Sequence, residues 1–484
     1  MSVSVDEESE LPAGWTWAAL ADLVASDGVF ADGDWVESKD QDPDGDVRLI
    51  QLADVGEGSF RDRSNRFLTS ATADRLRCTY LESGDLLIAR MPEPLGRACL
   101  FPGSDGPAVT VVDVRILRPG KSGVSNRWLM WAINSPQVRQ QIREYQTGTT
   151  RKRISGKNLA KVRVAVPPLA EQHRIVEALE EQLSRLDSGI GTLRLALKRL
   201  DGLRKRILVS SVPDELPESW QMATVEQAGT LELGRARHPD WHHGPEMRPY
   251  LRVANVFEDR IDTADVMEMD FSGVWDKYRL EPGDVLLNEG QSPHLVGRPA
   301  LYRGFPRDVA FTNSLLRFKA SQRVLPQWAL LVFRRHLHAK RFMREVRITT
   351  NIAHLSAKRL KAVEFPIPPL DVQEKLVQRC DELLSGVAAM DQEVQNGLRR
   401  ANGLRAALLE RAFSGNLVPQ QPGDEPASAV LARIAAERAA KPKVKPTRKA
   451  TAKKVAVPRA AAPADPAPEP TPAPALAVQQ EFDL

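Results

Sequence analysis

The chain contains one long pattern twice, and this internal duplication limits its possible folds more than any other feature. Gln172 and Gln373 occupy matching places in the two copies, an offset of 201 residues that holds without gaps from Arg143 onwards. A period of about 200 residues is far longer than a solenoid repeat, so each copy is predicted to be a module with its own core. The repeated segments are LPAGW at 11–15 and LPESW at 216–220, LESGDLLI at 81–88 and LEPGDVLL at 280–287, and VPPL at 166–169 and IPPL at 367–370.

After each Pro-Pro-Leu junction, apolar residues recur at alternating intervals of three and four, which is the spacing of a heptad repeat. One such stripe is also typical of an ordinary amphipathic helix on a core. Two stripes in matching register, each beside a globular module, favour two helices packed on each other as a coiled coil. At 1.5 Å per residue, a helix of about 38 residues is roughly 57 Å long. The predicted seam contains Leu183, Leu186, Ile190, Leu193, Leu197 and Leu200, and Leu384, Val387, Val394 and Leu398.

The remaining sequence of each copy contains short strand-like runs broken by Gly, Pro and Asp, with a few helical stretches. This mixture predicts the α+β class for both modules. The C-terminal tail, residues 441–484, has eight Lys or Arg among many Pro and Ala. It has no apolar periodicity, which predicts disorder. The expected domains are a globular module at 11–168, a long helix at 169–210, a second module at 211–369, a second long helix at 370–413, a short helical segment at 414–440 and the tail at 441–484.

The location of charge is more informative than its total. The net charge of +4 equals the excess of eight basic over four acidic residues in the tail, so residues 1–440 sum to zero. Within this neutral part, residues 139–163 contain eight Lys or Arg and one acid, and residues 334–361 contain nine Lys or Arg, one acid and three His. A single basic run is usually a solvated helix face. Because the two strips lie at matching places and include Thr, Ser and Asn, they indicate recognition of a polyanion by both modules.

Motifs for catalysis, metal binding and export are weak or missing in the sequence. Lys121 and Ser122 end a segment like a phosphate-binding loop, but Arg115 stands where the first glycine is required. The cluster HPDWHH at 238–243 could supply imidazole ligands to zinc, although an exposed loop is the simpler explanation. The three separated cysteines favour a reducing cytoplasm, and the acidic first ten residues do not resemble a secretory signal. No apolar run approaches the roughly 18 residues needed to span a bilayer, so a membrane segment is not expected.

Three segments resemble the specificity subunits of Type I restriction-modification enzymes. They are the two Pro-Pro-Leu-x-x-Gln junctions that lead into the long helices, the sequence LRAALLERAFSGNLVPQ at 404–420, and the EPAS segment at 425–428 before a short helix. Together with the duplication, the resemblance covers about residues 11–440. The family pattern near the end of each module has Gly followed by Ser or Thr and then Thr. Gly148 fits it loosely, whereas the second copy lacks the glycine.

The resemblance implies two target recognition domains, held apart by an antiparallel pair of long helices, that each read half of a split site in double-stranded DNA. It also implies a chain without catalytic activity or a bound cofactor of its own. Two modification subunits, which carry S-adenosylmethionine and methylate adenine, would assemble on it. Restriction subunits, which supply the motor and the nuclease, would then join, and no membrane would be involved.

Candidate DNA contacts follow from the two strips. Others follow from the residues just after the repeated segments at 81–88 and 280–287, each of which is predicted to be a turn followed by a buried strand. The strips supply cations for phosphates and amide, hydroxyl or imidazole groups for base edges. For any single residue, a solvated surface position is an equally good explanation. The candidates are Thr149, Arg151, Lys152, Arg153, Lys157 and Asn158 in the first module, Thr350, Asn351, His354, Lys358 and Arg359 in the second, and Arg90, Asn288, Glu289 and Gln291 near the repeated strands.

Two other functions remain as alternatives. A coiled-coil assembly scaffold would bind no DNA and would not require matched basic strips. A stand-alone DNA-modifying enzyme would need a metal or cofactor motif. The basic tail at 441–484 has two explanations, which are nonspecific DNA tethering and improved solubility.

Overall fold

The computed structural model describes residues 11–148, 151–213, 215–349 and 352–440. The predicted DNA contacts Thr149, Thr350 and Asn351 lie outside the described residues, and so does the tail predicted to be disordered.

The first module, residues 11–168, consists of short strands and short helices. It contains β1 Thr16–Ala19, β2 Val29–Asp32, β3 Val47–Ile50, β4 Phe67–Leu68, α1 Ser70–Leu76, β5 Leu86–Ala89, β6 Ala98–Leu100, β7 Ala108–Thr110, β8 Val114–Arg118, α2 Asn126–Asn134, α3 Pro136–Glu144, α4 Gly156–Lys161 and β9 Arg163–Val166. The long helix α5, Leu169–Ser210, follows directly.

The second module, residues 211–369, has the same kinds of element. It contains β10 Gln221–Thr224, α6 Val225–Ala228, β11 Gly229–Leu233, β12 Met247–Leu251, β13 Val256–Phe257, β14 Arg260–Ile261, β15 Met267–Asp270, α7 Trp275–Tyr278, β16 Val285–Asn288, β17 Gly290–Gln291, β18 Pro299–Leu301, β19 Ala310–Phe311, β20 Leu315–Ala320, α8 Pro326–His338, β21 Arg347–Thr349, β22 Ile352–His354, α9 Ala357–Lys361 and β23 Glu364–Ile367. The long helix α10, Leu370–Phe413, and the shorter α11, Ala427–Ala440, complete the described chain.

The sheets of the two modules have the same topology. The first module has a four-stranded sheet in the order β2-β8-β5-β6, a three-stranded sheet β4-β3-β7 and the pair β1-β9. The second has β11-β20-β16-β18, β15-β12-β19 and β10-β23. In addition, the second module has the pair β13-β14 and the three-stranded sheet β17-β22-β21. The duplicated sequence therefore folds into two related α+β modules, and the predicted fold class is confirmed.

The strand of the repeated segment, β5 in the first module and β16 in the second, lies at the centre of its module, with both faces buried. In β5, Leu86 and Ile88 contact the core that includes Trp128 of α2, while Leu87 contacts a second core on the opposite face. In β16, Val285 and Leu287 face one core and Leu286 faces the other. A strand covered on both faces has no polar face, which explains the continuous apolar runs in both copies.

The long helices α5 and α10 pack against each other in opposite directions. Arg405 of α10 forms an ion pair with Asp187 of α5, and Leu193 of α5 lies against Gly397 of α10. The residue number therefore rises along one helix as it falls along the other, which makes the pair antiparallel. At 1.5 Å per residue, their 42 and 44 residues correspond to about 63 and 66 Å. Along the predicted seam, Leu183, Ile190, Leu200 and Val387 are buried, and Leu186, Leu193, Leu197, Leu384, Val394 and Leu398 are half-buried.

Each long helix is attached to its module through the glutamine of the Pro-Pro-Leu-x-x-Gln junction. The buried Gln172 accepts a hydrogen bond from the backbone N–H of Ser125 at 2.9 Å and donates to the carbonyl of Pro167 at 3.0 Å. Gln373 accepts from the N–H of Leu325 at 2.8 Å and also donates to backbone carbonyls. The motif therefore fixes the start of the helix to the segment before α2 or α8.

The far end of each helix packs on the other module. Leu208, near the end of α5, belongs to the core of the second module. Phe413, at the end of α10, packs against Trp128 of the first module with ring centroids 6.1 Å apart. The helix α11 then adds to the first module, where the N–H of Ala427 donates to the carbonyl of Gly14 at 2.9 Å. The described chain thus closes on the module where it begins.

Candidate nucleic-acid interface

In the first module, the middle of the basic strip is an exposed turn between α3 and α4. Thr147 and Arg153 form an isolated antiparallel bridge, and Gly148 has a φ of 92°, in the left-handed region. A Cβ atom on Gly148 would lie 2.6 Å from the carbonyl oxygen of Arg151, so this turn requires glycine. Arg151, Lys152 and Arg153 are all exposed on it. The turn therefore presents three cations to solvent, as phosphate binding requires.

The strip is attached to the end of the repeated strand by the same backbone hydrogen bond in both modules. In the first, the N–H of Ile154 donates to the carbonyl of Arg90 at 3.1 Å, and in the second, the N–H of Leu355 donates to the carbonyl of Glu289 at 2.8 Å. The duplication thus places the strip next to the end of β5 or β16. It brings together candidates that are separated by more than sixty positions in the sequence.

Arg90 is positioned by several groups of the first module. Its guanidinium donates to the carbonyls of Val112 at 2.6 Å and Ile154 at 3.3 Å, and its Nε lies 3.3 Å from the carboxylate of Asp32. Arg115 binds the same carboxylate at 2.9 Å. With only 12% of its side chain exposed, Arg90 supports the base of the strip rather than extending into solvent.

Asn158 and Lys157 lie in the first turn of α4, but only the lysine is exposed. Ser155 caps this helix by accepting from the N–H of Asn158 at 3.1 Å, and the Asn158 side chain donates to the carbonyl of Tyr145 at 3.2 Å. Asn158 therefore helps to hold the turn to α3, while Lys157 is free to meet a phosphate.

In the second module, the predicted residues meet on the three-stranded sheet β17-β22-β21. Gly290 pairs with His354 and Gln291 pairs with Ala353. The imidazole Nδ1 of His354 lies 3.2 Å from the carboxylate of Glu289. The side-chain oxygen of Gln291 already accepts a hydrogen bond from the backbone N–H of Ser292 at 3.1 Å.

Three other predicted residues differ in exposure. Asn288 is fully buried, and its Nδ2 donates to the carbonyl of Val256 at 3.4 Å, so it does not belong to the exposed surface. Arg359 is half-buried and donates to the carbonyl of Glu345 at 2.7 Å. Lys358 is exposed on α9.

Several of the basic residues counted in the strips form ion pairs with carboxylates of their own module. Arg139 is buried and lies 3.2 Å from Glu57. Arg334 binds Glu258 at 2.8 Å, and Arg341 binds Glu364 at 2.7 Å. The exposed basic residues are therefore Arg143, Arg151, Lys152, Arg153, Lys157, Lys161 and Arg163 in the first strip, but only Lys340, Arg344, Arg347 and Lys358 in the described part of the second.

Two of the three histidines in the second strip are also structural. Burial lowers the pKa of His336 to about 4, so the ring is neutral at pH 7, and its Nε2 lies 3.0 Å from the carbonyl of Glu364. His338 lies 3.0 Å from both carboxylate oxygens of Glu258. Burial alone would raise the pKa of Glu258, but His338 and Arg334 outweigh burial and lower it to about 2.

The remaining candidates for metal or thiol chemistry do not form a site. In the HPDWHH segment, His238 lies 3.2 Å from Asp240, and the described residues contain no group of three or more His, Cys, Asp or Glu arranged around one point. Burial raises the pKa of Cys78 to about 12 and of Cys99 and Cys380 to about 11, so these thiols are protonated at neutral pH. No helix among the described residues is long and apolar enough to cross a membrane.

Two exposed apolar residues within the second strip were not predicted from the sequence. Ile352, on β22, is 49% exposed, and Ile348, on β21, is 55% exposed. Two isoleucines inside a basic strip were visible in the sequence as RITTNIAH, but an apolar residue there was equally compatible with a buried position. Only the structure shows that both side chains face solvent.

The comparisons with known proteins agree with this architecture. Residues 12–191 match the family model described as the Type I restriction modification DNA specificity domain. The chain is 25% identical over 323 residues to the Type I restriction enzyme EcoKI specificity subunit of Escherichia coli strain K12, covering 64% of this chain and 69% of that protein. It is also 25% identical over 326 residues to the StySPI specificity subunit of Salmonella potsdam, with the same shares covered.

Two solved structures share the fold. A chain from a study of complex assembly and conformational transition of the type I R-M system has a TM-score of 0.66 at 18% identity, covering 84% of this chain and 99% of that one. The HsdS subunit from Thermoanaerobacter tengcongensis has a TM-score of 0.50 at 18% identity, covering 85% and 100%. With two related modules on antiparallel helices and a match of residues 12–191 to the specificity-domain model, this chain is similar in sequence and fold to the Type I restriction-modification specificity subunits.

Proposed function

We propose that this chain is the DNA sequence-specificity subunit of a Type I restriction-modification complex. Each module reads one half of a bipartite site in double-stranded DNA, and the helix pair sets the separation of the halves. One observation carries this proposal. In both modules an exposed, cation-bearing segment is attached by the same backbone hydrogen bond to the end of the same central strand.

The helix pair limits the distance between the two recognised half-sites. A length of about 63 to 66 Å corresponds to about 19 base pairs at 3.4 Å each, which is an upper bound for the separation of the half-site centres. Because α5 begins on the first module and ends on the second, and α10 runs back, both modules are attached to both helices. A bipartite target with an unspecified spacer follows from this geometry.

The two strips are proposed to use their exposed groups in different ways. Arg151, Lys152 and Arg153 neutralise phosphates and position the first module. His354 and Glu289 lie together on the second module and offer hydrogen-bonding groups to base edges. Arg90 and Asn158 act indirectly, by holding the strip of the first module in place.

The subunit is proposed to act without catalysis of its own and without a bound cofactor. Two modification subunits that carry S-adenosylmethionine would assemble on it, and restriction subunits would join them in the cytoplasm. An apolar groove of about 690 Å³ on the helix pair supports assembly with a protein partner. Leu195 and Met390, which line it, are each 47% exposed, and apolar surface of this kind favours burial against the modification subunits.

The proposal is tested first by mapping modified adenines in DNA from cells that produce this chain with its modification subunits. We expect one bipartite sequence with an unspecified spacer of fixed length. A continuous palindromic site would contradict the bipartite reading of the DNA. Unmodified DNA together with no DNA binding by the assembled complex would contradict the whole proposal and favour an assembly scaffold.

A second test measures the salt dependence of binding to the mapped site. Each phosphate contact contributes about 0.9 to the slope of log K against log salt, so Arg151→Ala with Arg153→Ala should reduce the slope by about 1.8. Arg185→Ala is the matched control, because Arg185 is 77% exposed on α5 and pairs with Glu181 of the same helix. An unchanged slope in the double variant would remove this strip from the interface.

A further inference from the structure

The exposed hairpin β21-β22 has two faces of different character. Across the hairpin, Thr349 pairs with Ile352 and Arg347 pairs with His354. Because cross-strand partners share a face and alternate residues of a strand share a face, Arg347, Ile352 and His354 lie on one side. Ile348 pairs with Ala353 on the other side.

Within β22, the side chains of Ile352 and His354 point away from the core of the second module. Ala353, on the opposite face, is fully buried in the core of the second module. Ile352 and His354 are both exposed, and Arg347 beside them is exposed as well. This face therefore combines one branched apolar side chain with an imidazole and a guanidinium.

The position of His354 is built into the neighbouring strand. Its imidazole lies 3.2 Å from the carboxylate of Glu289, and a Cβ atom on Gly290 would lie 3.0 Å from Nδ1 of the ring. Glycine thus leaves space for the imidazole over β17. With His354 held in this way, Ile352 lies beside a fixed polar group rather than among mobile side chains.

The first module has a different chemistry at the same positions. With the offset of 201 residues, Ile352 corresponds to Arg151 and His354 corresponds to Arg153. The exposed basic side chains are also fewer in the described part of the second strip. The strip of the second module therefore has fewer exposed cations for phosphates and more exposed apolar surface than the strip of the first module.

We infer that Ile352 contacts the 5-methyl group of a thymine in the half-site that the second module reads. The major groove admits a two-stranded ribbon, and the thymine methyl is the apolar group that base pairs display there. The surrounding positive charge of Arg347 and Lys358 favours DNA as the occupant of this face. The inference rests on the proposed function and adds a base preference that the comparisons do not assign.

The test replaces thymines with deoxyuracil, which lacks only the methyl group. The complete complex with its modification subunits is titrated with its mapped site, changing one thymine at a time in either half. Loss of one buried methyl contact corresponds to about a fourfold loss of affinity. We expect this loss at one position, in only one of the two halves.

Variants of the hairpin identify the contacting residue. Ile352→Ala should lose about fourfold on the thymine site and should no longer respond to deoxyuracil at that position. Ile348→Ala is the matched control, because it has the same side chain, similar exposure and the opposite face of the hairpin. It should retain the full response.

The outcomes separate this inference from the proposed function. If the unmodified complex prefers its site over scrambled DNA but no deoxyuracil substitution weakens binding, the thymine contact is wrong and the proposed function stands. A methyl response that persists in Ile352→Ala would also overturn the inference. If the complex does not prefer the mapped site at all, the proposed function fails.

Discussion

Replacement of Gln373 by leucine tests whether the junction glutamine anchors the long helix. Its side chain is fully buried and makes three hydrogen bonds of 2.8 Å, accepting from the N–H of Leu325 and donating to the carbonyls of Arg323 and Pro368. Leucine has a similar volume but no polar atoms. The substitution therefore leaves one buried backbone donor and two backbone acceptors without this partner.

The expected loss follows from these contacts. At about 1 kcal/mol for each hydrogen bond, Gln373→Leu should destabilise the junction by about 3 kcal/mol, or about 150-fold in the local opening equilibrium. Gln172 makes two such bonds, at 2.9 and 3.0 Å, so Gln172→Leu should cost about 2 kcal/mol, or about 30-fold. The same substitution in the same motif should therefore destabilise the junction of the second module more than that of the first.

Hydrogen–deuterium exchange provides the local measurement. Peptides that contain Leu325 should lose protection in Gln373→Leu, and peptides that contain Ser125 should lose less in Gln172→Leu. Gln378→Ala is the control, because Gln378 is exposed on the same helix and, among the described residues, its side chain bonds only to Glu382 at 2.9 Å. Unchanged protection around Leu325 in Gln373→Leu would show that the glutamine does not anchor the helix.

Two further perturbations test the second module and the helix pair. The pKa of Glu258 is lowered from 4.5 to about 2, so its contribution of about 3 kcal/mol is complete above pH 4.5 and is lost as pH falls towards 2. In urea unfolding followed from pH 6 to 2.5, Glu258→Gln should weaken this acid dependence, and an unchanged pH profile would refute the assignment. Leu183 is only 3% exposed, so Leu183→Ala should cost about 2–5 kcal/mol in urea unfolding, against at most about 0.5 kcal/mol for the 47% exposed Leu195→Ala. Equal losses in the two variants would show that Leu183 is not a core position.

The long helices could be predicted because their signal is local and repeated. A three-four spacing over ten positions identifies a helical stripe without knowledge of its partner. The direction of packing could not be derived from that spacing, since parallel and antiparallel pairs can use the same stripe. The ion pair between Asp187 and Arg405 shows the direction, and it joins residues more than two hundred positions apart.

The candidate interface could be predicted only in part. Basic strips at matching places indicated where each module would meet a polyanion, and the exposed turn with Arg151, Lys152 and Arg153 lies in the first strip. A count of charges could not show that Arg334 and Arg341 are occupied by carboxylates of their own module. Ion pairing depends on which side chains the fold brings together, and composition does not contain that information.

The sequence alone determined that the molecule has two related modules and two long helices, because duplication and heptad spacing are properties of residue order. The tertiary structure decided which residues the modules expose. It joined Ile154 to Arg90 and Leu355 to Glu289 across long stretches of chain, and it buried Asn288 while exposing Ile352. These outcomes depend on the pairing of distant strands and the covering of each face, which are set only when the complete module folds.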